Sequence, residues 1–427
     1  MKRRTFFTAS TGSAIALASP REGLPAEKAG TASALTTLAG KSLKDLREEY
    51  RHWLFDDFLP FMDRYVIDHE LGGFMCTVDR DGTQINSDKR GWYEGRGIWT
   101  YSFLYNKVAK EQKYLDVASK SVQFIMKNKP AGDNIWPENY KKDGTNDGRA
   151  DTRLYGDLFI ALGLQEYAKA SGDDRYWDLA KETILKDVRL YDRPDYDKDG
   201  KRVQGVWMCL INTITGTLEY KRDAELEKVM ERSLDAVLNY HYNPDFQLDN
   251  ETLNHDLSRN AETARDAFLG HPIETFWMIM YEAVRRKDKK IFTIAAERFR
   301  RHVEVAWDDV YGGVFEGLDN VDENRFSLRK VLWEQAEVLI GSLYIYEHTG
   351  APWARELFER MYAYVMEKFP LKKYGYSLWM EWGDRKVTFQ PHTSRVEHFH
   401  HPRHLMLNML ALDRIIKRGG KPSGLMG

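Results

Sequence analysis

The chain has 427 residues, 42% hydrophobic and 13% aromatic, with a formal net charge of −2. That length accommodates two domains or one large helical ring. The charge balance leaves no basic stripe to offset a nucleic-acid backbone, so nucleic acid is excluded as a partner. Cys76 and Cys209 are the only cysteines, so neither a disulfide framework nor a cysteine zinc site can form, and a single bridge is not indicated.

The chain starts with Lys2-Arg3-Arg4-Thr5-Phe6-Phe7, then a short apolar stretch and Ala16-Leu17-Ala18. A basic stub, an apolar segment and a small-residue cleavage site read as an export signal of twin-arginine type, which predicts a periplasmic protein. Residues 1–35 are therefore set apart as signal and disordered linker, 36–418 as the catalytic domain, and 419–427 as a flexible tail. No later segment reaches about 18 consecutive apolar residues, so no membrane span is expected after signal removal.

From residue 42 onward, helical apolar periodicity dominates. The pattern predicts helices near 42–63, 93–109, 113–127, 152–170, 174–188, 208–220, 223–240, 269–286, 288–306, 329–348, 352–368 and 402–417. Short links follow the even-numbered helices, two with turn signals at Ser171-Gly172-Asp173-Asp174 and Thr349-Gly350-Ala351-Pro352. Longer links of roughly 20–35 residues follow the odd-numbered ones and carry Gly-Gly and β-prone pieces. Strict alternation puts all the long links at one end. The even-numbered helices start about sixty residues apart, which suggests a closed array of hairpins. The prediction is an all-α (α/α)6 barrel: inner helices line a cavity, outer helices shield them, and small β-hairpins sit in the long loops of one face. An open helical solenoid is the alternative.

Candidate residues cluster at the predicted inner-helix starts. Trp92-Tyr93-Glu94-Gly95-Arg96 opens the first, where Arg96 either holds a developing oxyanion or pairs with Glu94. Trp136-Pro137-Glu138 lies in the second long loop and offers Trp136 and Glu138 to a sugar face. Gly270-His271-Pro272-Ile273-Glu274 places Glu274 one turn after His271, on the same helix face, where it could orient the imidazole. Trp333-Glu334-Gln335-Ala336-Glu337 offers Trp333 and a buried-carboxylate candidate, Glu337. Five of the twelve histidines, His392, His398, His400, His401 and His404, fall within thirteen residues. Histidine titrates near neutrality, and two facing histidines can take a proton from carbon and return it. His400 and His404, one turn apart, could also ligate a metal, but no thiolate or carboxylate beside them completes a catalytic set.

These motifs, in this order, resemble the N-acylglucosamine 2-epimerase superfamily, which includes cellobiose 2-epimerases and mannose-type aldose–ketose isomerases. The resemblance covers nearly the whole chain after about residue 45 and rests on four motifs: Trp92 to Arg96, Gly270 to Glu274, Gln335-Ala336-Glu337 and Phe399-His400-His401-Pro402-Arg403. It implies an (α/α)6 barrel, catalytic His271 and His400, an oxyanion-holding Arg96 and a site glutamate, Glu274. Trp92, Tyr93, Trp136, Glu138, Asn212, Trp333, Glu337 and Arg403 are then expected to bind substrate. No metal or cofactor is implied, the partner is a small saccharide, and a homodimer is compatible with the sequence but not indicated by it. Two departures stand out. Gly216 occupies a position where relatives often carry a ring-opening histidine, and Leu332 precedes Trp333 where relatives have two tryptophans. The competing readings are a glycoside hydrolase using a pair among Glu274, Glu337, Asp249 and Asp266, and a non-catalytic sugar-binding protein.

Overall fold

Helices that are apolar all round alternate along the chain with helices apolar on one side only, and this alternation sets the architecture. The computed structural model describes residues 34–79, 81–149, 154–196, 200–371, 378–379 and 396–426. Most of the predicted signal, and His392, lie outside the described residues.

The helices are α1 (Leu43–His52), α2 (Gly91–Phe103), α3 (Gln112–Met126), α4 (Tyr155–Ser171), α5 (Asp174–Tyr191) and α6 (Gln204–Tyr220). They continue with α7 (Ala224–Asp235), α8 (Gly270–Arg286), α9 (Lys289–Ala306), α10 (Leu332–Thr349), α11 (Pro352–Lys368) and α12 (His400–Lys417). Every residue of α4 from Gly156 to Ala168 is buried, as an inner helix requires. Helix α3 buries Tyr114, Ala118, Ser121, Val122 and Ile125, one stripe of a two-sided helix. Wider π turns extend α1 (Trp53–Phe58 and Met62–Val66), α2 (Leu104–Val108) and α7 (Ala236–His241). In α1 they flank Pro60, which has no N–H to give to the regular ladder.

Helices α2, α4, α6, α8, α10 and α12 pack side by side in that order as the inner ring. Helices α3, α5, α7, α9 and α11 each back the inner helix they follow, and α1 backs α12. The segment before α12 is tied to α2 by Tyr93, whose hydroxyl donates to Val396 O at 3.0 Å, and by Thr100 Oγ1, which donates to His398 O at 3.1 Å. This is the (α/α)6 barrel expected from the periodicity. Closest approach of α2 and α4 depends on glycine: a Cβ on Gly95 would lie 2.3 Å from Phe159 C, and one on Gly163 would lie 2.6 Å from Gly95 O.

Short strand pairs collect at the N-terminal ends of the inner helices. They include Lys89–Arg90 with Asn139–Tyr140, Arg202–Val203 with Thr252–Leu253, and Ala267–Phe268 with Gly317–Asn320. One device recurs in two long loops. Lys89 Nζ donates to Asp68 Oδ2 at 2.8 Å and to Gly72 O at 2.7 Å. Lys330 Nζ likewise reaches Asp308, and donates to Gly312 O at 2.7 Å. Five residues after each lysine, a buried side chain accepts from a loop amide: Glu94 from Phe74 N and Gln335 from Val314 N, both at 2.8 Å.

Two expectations need correction. The link from α5 to α6 spans only residues 192–203, because α6 starts at Gln204 directly after the extended Val203. The predicted flexible tail is docked instead. Leu35 N donates to Gly420 O at 2.9 Å, Ser423 N donates to Glu347 O at 2.7 Å, and Met426 is buried. No helix among the described residues is long and apolar enough to cross a membrane.

Candidate active site

The N-terminal ends of α2, α8, α10 and α12 deliver Arg96, His271, Trp333 and His400 to one aromatic bowl. The ring of Trp333 lies 6.0 Å from that of His271 and 5.3 Å from that of His400, between centroids. Phe268 closes the His271 side at 4.6 Å, and Phe399 the His400 side at 5.3 Å. The Arg96 guanidinium rests over Phe159 at 4.1 Å, and over Trp92 and Phe399 at 5.0 Å each. It is near enough to His271 to disfavour the imidazolium there. The Arg96–Glu94 pairing is not what forms. Glu94 is fully buried and accepts from Phe74 N and Ser121 Oγ, and burial pushes its pKa up to about 8.

His271 Nδ1 lies 3.0 Å from Glu251 Oε1. Burial works against the cation, but the Glu251 carboxylate outweighs it and the pKa lies above the ordinary histidine value. A Cβ on Gly205 would lie 2.2 Å from Tyr155 Oη and 3.1 Å from His271 Cε1. The Tyr155 hydroxyl therefore converges on His271 over a bare stretch of α6. A cavity of about 470 Å³ opens beside His271, lined in part by Glu251, Asp266, Phe268, Glu316 and Asp319.

His400 Nδ1 lies 2.9 Å from Glu337 Oε1 and 3.0 Å from Arg403 Nη2. The same Nη2 donates to Glu274 Oε1 at 2.5 Å and Glu337 Oε1 at 2.7 Å, and Trp277 Nε1 donates to Glu337 Oε2 at 2.5 Å. Burial raises Glu337 to about 8 against the opposing pull of Arg403, with Glu274 adding to the rise. Glu274, Glu337 and His400 bring ligand atoms within 4.8 Å of one another, the spacing of a metal site. The Arg403 guanidinium already stands among them as the local cation.

Several expected residues lie elsewhere. Glu274 bonds Arg403, not His271; one helical turn aligns the two residues, but the α8 face turns Glu274 toward α12. Arg403 is itself buried, between Phe399 and Trp277, so it supports the site from beneath. Tyr93 stacks on His398 at 3.4 Å and is buried. Trp136 is buried, its backbone N–H donating to Asp157 Oδ1 at 2.8 Å, because its loop folds onto the α4 start. Glu138 is half-buried and its carbonyl accepts from Gly91 N at 2.9 Å, and it lines neither cavity of the lumen. Asn212 lines a second cavity of about 230 Å³ deeper in the lumen, with Trp99, Gly216, Trp277 and Leu407. The space a Gly216 side chain would need is taken by Gln165, whose Nε2 lies 2.8 Å from the Cβ position.

Of the cluster's described histidines, His398, His401 and His404 pack structurally. His401 meets Phe58 edge-on at 5.7 Å, and His404 meets Tyr50 at 6.0 Å, so both face α1. Burial holds His404 down at about 3 and His401 well below the usual value. His404 therefore does not join His400 in a ligand pair. Sequence reasoning missed Glu251, Tyr155, Phe159 and Phe268. Only the Asp249-Asn250-Glu251 run before an extended dipeptide hinted at the first.

Six helical hairpins closed into a double ring define the class of (α/α)6 barrel proteins. The sequence model of N-acylglucosamine 2-epimerase (GlcNAc 2-epimerase) matches residues 72–402, and the chain belongs to that family of carbohydrate epimerases and isomerases. It is 24% identical to the N-acylglucosamine 2-epimerase of Bos taurus over 354 residues, covering 75% of this chain and 80% of that one. It is also 24% identical to the cellobiose 2-epimerase of Dictyoglomus turgidum over 329 residues, covering 71% and 82%. The solved cellobiose 2-epimerase of Bacillus thermoamylovorans B4167 shares the fold with a TM-score of 0.75 at 17% identity, over 86% of this chain and 99% of that one.

Proposed function

We propose that this protein epimerises or isomerises an aldose or N-acyl amino sugar at carbon 2 by proton transfer between His271 and His400. The observation that carries the reading is the placement of both imidazoles against the one Trp333 ring, at 6.0 and 5.3 Å, with the Arg96 guanidinium in the same bowl. The open-chain aldehyde acidifies the hydrogen on carbon 2. One histidine removes it, and the resulting cis-enediolate carries negative charge on oxygen, which Arg96 stabilises. For epimerisation the other histidine delivers a proton to the opposite face of carbon 2. For isomerisation a proton goes to carbon 1, giving a ketose. Both proton positions and the countercharge come from side chains, so the cycle needs no cofactor.

The carboxylate-pair hydrolase is less well supported. Glu274 and Glu337 share one guanidinium beneath His400, and Asp249 is fully buried beside Gln204. The deciding experiment incubates residues 36–427 in deuterated water with glucose, mannose, N-acetylglucosamine, N-acetylmannosamine and cellobiose. Deuterium at carbon 2 with a new epimer, or a ketose, supports the proposal. New reducing ends without exchange would replace it with the hydrolase. The twin-arginine-type start supports a periplasmic location, which fractionation of the full-length protein would test.

A further inference from the structure

We infer that Glu251, on the loop between α7 and α8, is the positioning residue of His271: it accepts the hydrogen bond donated by Nδ1–H and so aims Nε2 at the substrate. This deepens the proposed two-histidine function and rests on it for its catalytic meaning.

The geometry is built rather than incidental. Glu251 O accepts from Gln204 N at 2.8 Å, and Thr252 pairs with Val203 in the adjacent strand ladder. The preceding Asn250 is locked from two sides: its N–H donates to His241 O at 2.8 Å and its side chain to Asp266 O at 3.1 Å. Before that, Asp249 N donates to His302 Nε2 at 2.9 Å. The carboxylate is thus held from α6, α9 and its own loop before it meets His271 at 3.0 Å. A carboxylate only accepts, so His271 Nδ1 must donate and the ring is fixed in one tautomer and one orientation.

The two histidines are held differently. Among the described residues, Glu251 faces His271 without a paired arginine, whereas Glu337 faces His400 together with Arg403 and Glu274. The charged and titratable groups near His271 are Glu251 from the loop, Glu274 from its own helix, Arg96 from α2, and Glu316 just before the strand Gly317–Asn320. Tyr155 adds a hydroxyl from α4.

Glu251 also lies 3.4 Å from Gly205 N, at the start of α6, so a purely structural role is the alternative. Glu251→Gln separates the two, because it keeps an acceptor for Gly205 and removes the charge. With the sugar substrate, kcat should fall roughly 10- to 100-fold, within the range of acid–base contributions, with KM nearly unchanged. The pH limb of kcat/KM that belongs to His271 should move to lower pH. NMR titration of the His271 imidazole in the whole protein should move the same way, with no sugar present. Glu251→Asp should recover part of the rate. An unmoved His271 titration overturns the inference, whatever the turnover. A moved titration in a protein that exchanges no sugar proton keeps the Glu251–His271 coupling and rejects the epimerase reading.

Discussion

Gly270 has no side chain where Trp333 needs room: a Cβ there would lie 2.5 Å from Trp333 Cη2. The tryptophan that both histidines approach is therefore seated against bare backbone at the start of α8. Gly270→Ala is expected to push Trp333 out of place. Steady-state kinetics should show kcat/KM falling by at least about tenfold, with a stability loss of about 1–3 kcal/mol typical of overpacking. Unchanged tryptophan fluorescence and unchanged kcat/KM would reject the assignment.

His271→Asn and His400→Asn should each lower carbon-2 proton exchange by a factor of about 10²–10⁴ while thermal unfolding stays close to that of the parent. Deuterium incorporation followed by NMR, beside a circular-dichroism melt, reads both quantities. Full exchange in either variant would remove that histidine from the mechanism.

Arg403→Ala would leave Glu274 and Glu337 together in the barrel without their shared cation. Removing one partner of a buried ionic group costs about 3–5 kcal/mol. Urea unfolding should show a loss of that order. A double change of Glu274 and Glu337 to glutamine in the same background should restore part of it. A single variant as stable as the parent would mean that water reaches the cluster.

Much of this arrangement was readable in advance, and the exceptions have physical causes. The twelve helices follow from apolar spacing because inner and outer helices bury different fractions of their surface. The π turns left no such mark, since one extra residue per turn barely alters the spacing. His271, His400, Arg96 and Trp333 were legible because each opens an inner helix, and the ring topology then forces them together. Glu251 was not legible: it reaches His271 across an irregular loop. Trp136 and Tyr93 misled because an aromatic ring serves core and sugar equally well, and only the fold of the loop decides. Glu274 was correctly placed on the face of His271, but its partner comes from a different helix.

Glu94 is pushed up to about 8 by burial, although Phe74 N and Ser121 Oγ favour the anion. Its folded pKa thus exceeds the unfolded carboxylate value. Its contribution to stability is fully present below the unfolded pKa and is lost as pH rises through about 8. Gln335 holds the equivalent place in the other loop as a neutral amide. Glu94→Gln should therefore flatten the decline in stability between pH 5 and 8. Denaturation midpoints measured across that range would check it, and parallel curves for the two proteins would contradict it.

The docking of Leu35 on Gly420 has an engineering consequence. Helix α1 backs α12, so the last helical pair is assembled from opposite ends of the sequence. A short peptide bridge from Gly420 to Leu35 would turn the barrel into a covalent circle, which could be reopened at the turn between Ser171 and Asp174. Such a permuted chain keeps every inner-ring neighbour. If it folds and turns over sugar like the parent, the order in which the hairpins are synthesised is immaterial to the finished ring.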